Sequence, residues 1–122
     1  MIYAGANFSQ IGIHGRFGLA AIGSAGDVLP WAPRANGAVH TLLALGRNVH
    51  ADGEFTQISV GDTPATRKGL AAIDIDGPLS SWDPDANGPV YSLGLGERLI
   101  QAGGTFTQVG DRLAGGFATL AP

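Results

Sequence analysis

The sequence predicts an all-β fold of repeated four-stranded antiparallel sheets, arranged as the blades of a β-propeller. Three observations carry the prediction. The segment Trp31-Ala-Pro-Arg-Ala-Asn-Gly-Ala-Val39 returns 51 residues later as Trp82-Asp-Pro-Asp-Ala-Asn-Gly-Pro-Val90, both reading Trp-x-Pro-x-Ala-Asn-Gly-x-Val. A second anchor occurs three times, as Ile2 to Phe8, Val49 to Phe55 and Ile100 to Phe106, each continued by Ser or Thr, then Gln, then Ile or Val. Around these anchors the apolar residues alternate with period two, and no window carries helical periodicity. Ordered motifs recurring at one spacing of roughly 50 residues mark a repeat architecture, and that spacing matches propeller repeats. A β-sandwich also uses short strands and frequent turns, but does not need each strand to recur at one offset.

Taken in order within a repeat, the first strand is Val39 to Leu45 and Val90 to Leu95. It turns at Gly46-Arg-Asn48 and Gly96-Glu-Arg98. In the second strand, Ile2, Ala4, Ala6 and Phe8 form an apolar face that tapers from small to aromatic. Val49, Ala51, Gly53 and Phe55 repeat it, as do Ile100, Ala102, Gly104 and Phe106. The third strand is Leu19 to Ile22, Leu70 to Asp74 and, at the last anchor, Phe117 to Leu120. A hairpin turn follows, Ser24-Ala-Gly-Asp27 or Asp74-Ile-Asp-Gly77, where the Asp-Gly pair suits a reversal. The fourth strand runs to Trp31 or Trp82. Between Phe and the third strand the middle repeat is longer than its sisters, and the extra residues fall within Ser59 to Lys68, which is therefore expected to be a loop.

This organisation divides the chain into a partial blade over 1–38, a full blade over 39–89 and a partial blade over 90–122. Propellers close with roughly four to eight blades, so about two and a half repeats make an incomplete ring. Open flanks would present apolar faces and unpaired edges. The expected partners are therefore a second copy completing a ring, or further blades of a longer chain.

The ordered set of Tyr-Ala-Gly-x-x-Phe, Leu-Ala-Ala-Ile and Trp-x-Pro-x-Ala-Asn-Gly-x-Val resembles the delta-60-type β-propeller repeats of bacterial proteins. The resemblance covers nearly the whole chain. It implies a secreted or cell-surface setting, although the chain itself shows no signal peptide. It implies no particular activity. Asp52, standing where Gly5 and Gly103 stand in the sister repeats, departs from the pattern, as does the longer segment after Phe55.

Composition narrows the function classes. A net charge of −3 gives no basic face for sequence-independent nucleic-acid binding. No apolar run approaches the ~18–20 residues of a membrane span. Neither nucleic acid nor membrane is expected as a partner. There is no Cys, which removes disulfides and thiolate metal sites. Charged residues make up only 14%, a sparsely solvated surface for a free small domain. The 20 glycines fall at fixed places in the repeat and so read as turns and close approaches rather than as disorder.

No catalytic constellation is found. There is no Walker loop, dinucleotide fingerprint or nucleophile elbow. Asp83-Pro-Asp-Ala-Asn-Gly88 opens like a calcium loop, offering Asp83, Asp85 and Asn87. The twelfth position is Gly94 where an EF-hand needs Glu, and the sister loop has no carboxylate. An inter-repeat turn is the expected role, with no metal and no cofactor. Asp74-Ile-Asp-Gly77 with Trp82 is similar to the Asp box of sialidase propellers, itself a structural motif. Trp31 and Trp82 hold one repeat position and are expected to pack one blade on the next. His14, His40 and His50 lie on different segments and are not expected to converge on a metal.

Five of the seven basic residues, Arg16, Arg34, Arg67, Lys68 and Arg112, fall in the loops of one rim, which also holds Asp62, Asp83, Asp85 and Asp111. Loops on a rigid scaffold carry contacts, so the candidate binding residues are Arg16, Arg34, Thr63, Thr66, Arg67 and Lys68. The expected function is non-enzymatic binding or scaffolding. The alternatives are a fragment of a propeller lyase or glycosidase, and a self-assembling structural module. The inner strands supply only His40, Thr41, Tyr91 and Ser92, which favours binding over catalysis.

Overall fold

The computed structural model describes all residues from Met1 to Pro122. It contains strands and turns but no helix. The strands, in chain order, are β1 (Ile2–Gly5), β2 (Gln10–Ile11), β3 (His14–Gly15), β4 (Leu19–Ile22), β5 (Arg34–Ala35), β6 (Val39–Leu45), β7 (Asn48–Gly53) and β8 (Gln57–Val60). They continue as β9 (Thr63–Thr66), β10 (Leu70–Asp74), β11 (Val90–Leu95), β12 (Ile100–Gly104), β13 (Gln108–Val109), β14 (Arg112–Leu113) and β15 (Phe117–Leu120).

Three antiparallel sheets, β1-β4, β6-β7-β10 and β11-β12-β15, stack in chain order without closing on one another. Each carries the repeated second and third strands. The expected four-stranded sheets are not formed. The fourth strand is reduced to one bridge, Ile22 with Val28 and Ile73 with Leu79, followed by one ladder bond from Leu29 N to Ala21 O or from Ser80 N to Ala72 O. The reason is visible in the next acceptors. The carbonyls of Leu29 and Ser80 are taken by the guanidinium groups of Arg16 and Arg67, at 2.9 and 3.2 Å, and the chain then turns to deliver its tryptophan.

The segment expected to be a loop is a hairpin. Strands β8 and β9 meet across Gly61-Asp62, with Val60 opposite Thr63. The sister hairpins turn in the same way at Gly12 and Gly110, and all three turn glycines have φ near +60°. That value at the first turn position is what a type II′ hairpin requires. The middle hairpin is longer by two residues on each strand. An even insertion leaves the alternation of faces intact, so Ile58 stays buried as Val109 does. Pro64 lies on the outer strand, where its missing N–H costs no ladder bond and blunts a free edge.

Successive sheets are joined by the same contacts twice. Leu19, Ala21 and Trp31 pack with Val39, Val49, Ala51, Phe55 and Ile73 at the first joint. Leu70 and Ala86, with Trp82, pack with Val90, Ala102, Phe106 and Val109 at the second. The indole of Trp31 donates to Asp74 O at 3.0 Å, and that of Trp82 to Ala121 O at 2.7 Å, the corresponding carbonyl of the next repeat. Each indole also meets a ring edge-on, Tyr3 for Trp31 and His50 for Trp82. Phe8, Phe55 and Phe106 occupy one place too, each accepting at its carbonyl from Gly18, Gly69 or Gly116.

Candidate functional site

The Asn-Gly turns close each joint at one end of the sheets. Asn36 Oδ1 accepts from the backbone N–H groups of Thr56 and Gln57 at 2.8 and 2.9 Å, while its Nδ2 donates to Thr56 Oγ1. Asn87 repeats all three bonds with Thr107 and Gln108. This commits the Asn87 oxygen to two amide donors, so it is not free as a cation ligand. No group of three or more His, Cys, Asp or Glu is placed to hold a metal ion. Asn87→Ala should cost about 1–2 kcal/mol, the range for a lost side-chain cap of backbone amides. Asn87→Asp, which keeps the acceptor, should cost less. Hydrogen exchange at the Thr107 and Gln108 amides reads the difference directly.

The clasp brings β5 of the first repeat onto β8 of the second, giving a small sheet in the order β5-β8-β9. Register places Arg34 opposite Ser59, and Ser59 opposite Pro64. By alternation Arg34, Gln57, Ser59, Pro64 and Thr66 share one outward face, whereas Ala35 and Ile58 face the joint. Thr63 lies on the opposite face, beside Val60, and is exposed. Lys68 follows and is also exposed. The Arg34 guanidinium stands 6.0 Å from the Phe17 ring centroid, at the outer range of a cation–π contact. Phe17 lies beside a hollow of about 330 Å3 over Phe8, Ala35 and Asn36.

The structure thus collects Arg34, Thr63, Thr66 and Lys68 on and beside one small sheet, but separates the two remaining candidates by role or position. Arg16 lies in the first repeat, beyond β3. Its Nη1 donates to Gly15 O and its Nη2 to Leu29 O. Arg67 makes the equivalent bonds to Thr66 O and Ser80 O, with Asp83 3.7 Å away. Both are half-buried braces between a hairpin base and the segment that leads to the tryptophan.

The histidines do not converge. His14 is exposed on β3. His40, unpaired at a bulge in β6, contacts Glu54 Oε2 at 2.8 Å, and its ring lies 5.1 Å from that of Tyr91, the bulge residue of β11. His50 is buried against Trp82, and burial lowers its pKa. Comparisons with family models, with characterised proteins and with solved structures found no match.

Sequence reasoning marked Asp52 only as a departure from glycine. The structure makes it the one fully buried carboxyl, on the face of β7 that meets the third repeat. Neither of its oxygens has a hydrogen-bond partner. Thr41, opposite it on β6, gives its single hydroxyl proton to Tyr91 O at 3.2 Å instead. Burial pushes the Asp52 carboxyl up to about 7, and the neighbouring Thr41 N–H and hydroxyl dipoles, which make no hydrogen bond to it, and the His40 ring offset this only in part. The signal available in the sequence was a lone Asp in a small-residue position of a strand, which points to a buried acid only once the next sheet is known to cover it.

Proposed function

We propose that the chain is a stretch of β-propeller-type repeats that acts as a non-enzymatic binding scaffold, self-associating or continuing into further repeats, with the β5-β8-β9 sheet as its contact surface. The observation that carries this reading is the outward face of that sheet. It is a rigid, paired platform held by the Asn36 clasp, and it presents Arg34, Gln57, Ser59 and Thr66 with Lys68 beside it. Cations and short hydroxyl or amide groups spaced along extended strands suit an acidic peptide or a hydroxyl-rich glycan. The lyase or glycosidase reading finds less support. His40 on β6 pairs with Glu54, just past the end of β7, and the hydroxyl of neighbouring Thr41 is committed to a backbone carbonyl.

The test is a titration of the 15N-labelled chain with a poly-glutamate peptide and, separately, with an uncharged oligosaccharide. Shifts should cluster on Arg34, Gln57, Ser59, Thr66 and Lys68 with at least one of the two. Arg34→Ala combined with Lys68→Ala should weaken peptide binding about tenfold, the equivalent of ~1.4 kcal/mol. Shifts confined to Arg47, between β6 and β7, and Arg98, between β11 and β12, would move the contact surface to the opposite end of the sheets.

A further inference from the structure

The two ends of the stack carry the two halves of one joint. At the first joint Leu19, and at the second Leu70, are 0% exposed under the next sheet. Phe117 holds that position in the third repeat and is 51% exposed. On the receiving side, Val49 and Ile100 are 0% exposed, whereas Ile2 at the same position is 64% exposed, with Met1 beside it at 70%. The glycine beneath the first joint, compared with its counterpart in the third repeat, tells the same story. A β-carbon on Gly5 would lie 2.8 Å from Val39 Cγ1 and 2.9 Å from Leu42 Cγ, because side chains of the next sheet are seated over it. Over Gly103 no residue of another sheet stands. The space is a hollow of about 370 Å3 lined by Ser92, Gly94, Gln101, Gly103 and Phe117.

We propose that two copies of this chain associate head to tail, the third-repeat face around Gly103 and Phe117 of one receiving the first-repeat face around Ile2 of the other. The inference rests on the repeat reading above, because it extends a joint that the fold already makes twice. A second copy fits since one chain carries both halves. The first-repeat face is Ile2, Ala4 and Ile22, around the already buried Ala20, at the positions of Val49, Ala51, Ile73 and Ala71 in the first joint. The third-repeat face is Gln101, Gly103, Phe117 and Thr119. Neither set contains an ionisable side chain, so apolar burial proceeds without a buried unpaired charge. The contact is heterologous, and successive copies either close a ring or extend.

Sedimentation of the intact chain over a range of concentrations should show mass rising above the monomer. Gly103→Glu should weaken association at least tenfold while the chain stays folded. Its new β-carbon meets Ser92 Oγ at 2.8 Å, a hydroxyl that can rotate away. Phe117→Glu serves if that variant folds poorly. Ile2→Glu should block the other half to the same degree. An equimolar mixture of the Gly103→Glu and Ile2→Glu chains keeps one good face of each kind and should pair one to one. A monomer at every concentration overturns the proposal, as do undiminished association of either variant or a mixture that stays unpaired. Leu19→Glu, at a fully buried position of the first joint, separates the two readings. It should unfold the chain if the internal joint is as described, even where association fails. A stable Leu19→Glu chain removes the repeat reading itself.

Discussion

Gly53→Ala is expected to lower stability by at least about 3 kcal/mol, among the larger costs of a single added methyl group. The cause is steric and specific to the joint of β6 and β7. Where β6 enters beside the end of β7, it carries a bulge that leaves His40 unpaired and brings the backbone of Ala38 across Gly53. A β-carbon on Gly53 would overlap the Ala38 carbonyl oxygen and press on Val39 Cα at 3.0 Å. The carbonyl cannot withdraw cheaply, since Glu54 N donates to it at 2.8 Å, and Gly53 N is itself held by Gly69 O. Gly104 meets Pro89 and Val90 in the same way, and Gly104→Ala should behave alike. The first repeat supplies the control. Its residue at this place is Ala6, which is exposed, and there no strand of its own sheet crosses. Ala6→Gly should therefore change stability by no more than about 1 kcal/mol, the ordinary backbone-entropy effect. Urea denaturation of the three variants measures this. A Gly53→Ala chain within 1 kcal/mol of the parent would mean the bulge does not press on that residue.

The contrast between Ala6 and Gly53 also shows what could and could not be read in advance. The repeated motifs were legible because each of their residues does one local job twice. Trp31 and Trp82 give their indole N–H to the same carbonyl of the next repeat, and Asn36 and Asn87 clasp the same pair of amides. The hairpin over Ser59 to Lys68 was not legible, because extra length beside two shorter sister segments reads as a loop. Only the register shows that the insertion adds two residues to each strand. The fourth strand was over-read for the opposite reason. Val28-Leu29 and Leu79-Ser80 have strand-like neighbours, but the ladder ends where an arginine from the preceding hairpin takes the next carbonyl. That is a contact 13 residues away in sequence, outside any local pattern. The same fact divides the candidate rim. Charge and loop position group Arg16 and Arg67 with Arg34 and Lys68, whereas hydrogen bonding makes the first two braces.

The second large effect is a dependence of stability on pH that centres on Asp52. In the folded chain its carboxyl is raised to about 7 from an ordinary 3.8, chiefly by burial, so the fold favours the protonated acid. Stability from this group is fully present below about pH 4 and is lost as pH rises to 7. The cost at alkaline pH is about 4 kcal/mol, taking ~1.4 kcal/mol per pH unit over that interval. His50, two residues away on β7 and buried against Trp82, pulls the other way. Burial lowers its pKa from 6.5, so the fold loses stability as acid protonates the unfolded chain. His40, Glu54 and Tyr91 flank the Asp52 site in both parent and variant, as His50 does, so the difference between the two chains isolates the carboxyl. Asp52→Asn keeps the shape and removes the titration. It should stabilise the chain by roughly 2–4 kcal/mol at pH 8 and alter it by less than about 1 kcal/mol near pH 4. The measurement is a set of urea curves for parent and variant between pH 4 and 8, with the difference plotted against pH. A flat difference would show that Asp52 is hydrated or paired in solution. The joint between the second and third repeats would then be open enough to admit water to the one carboxyl it encloses.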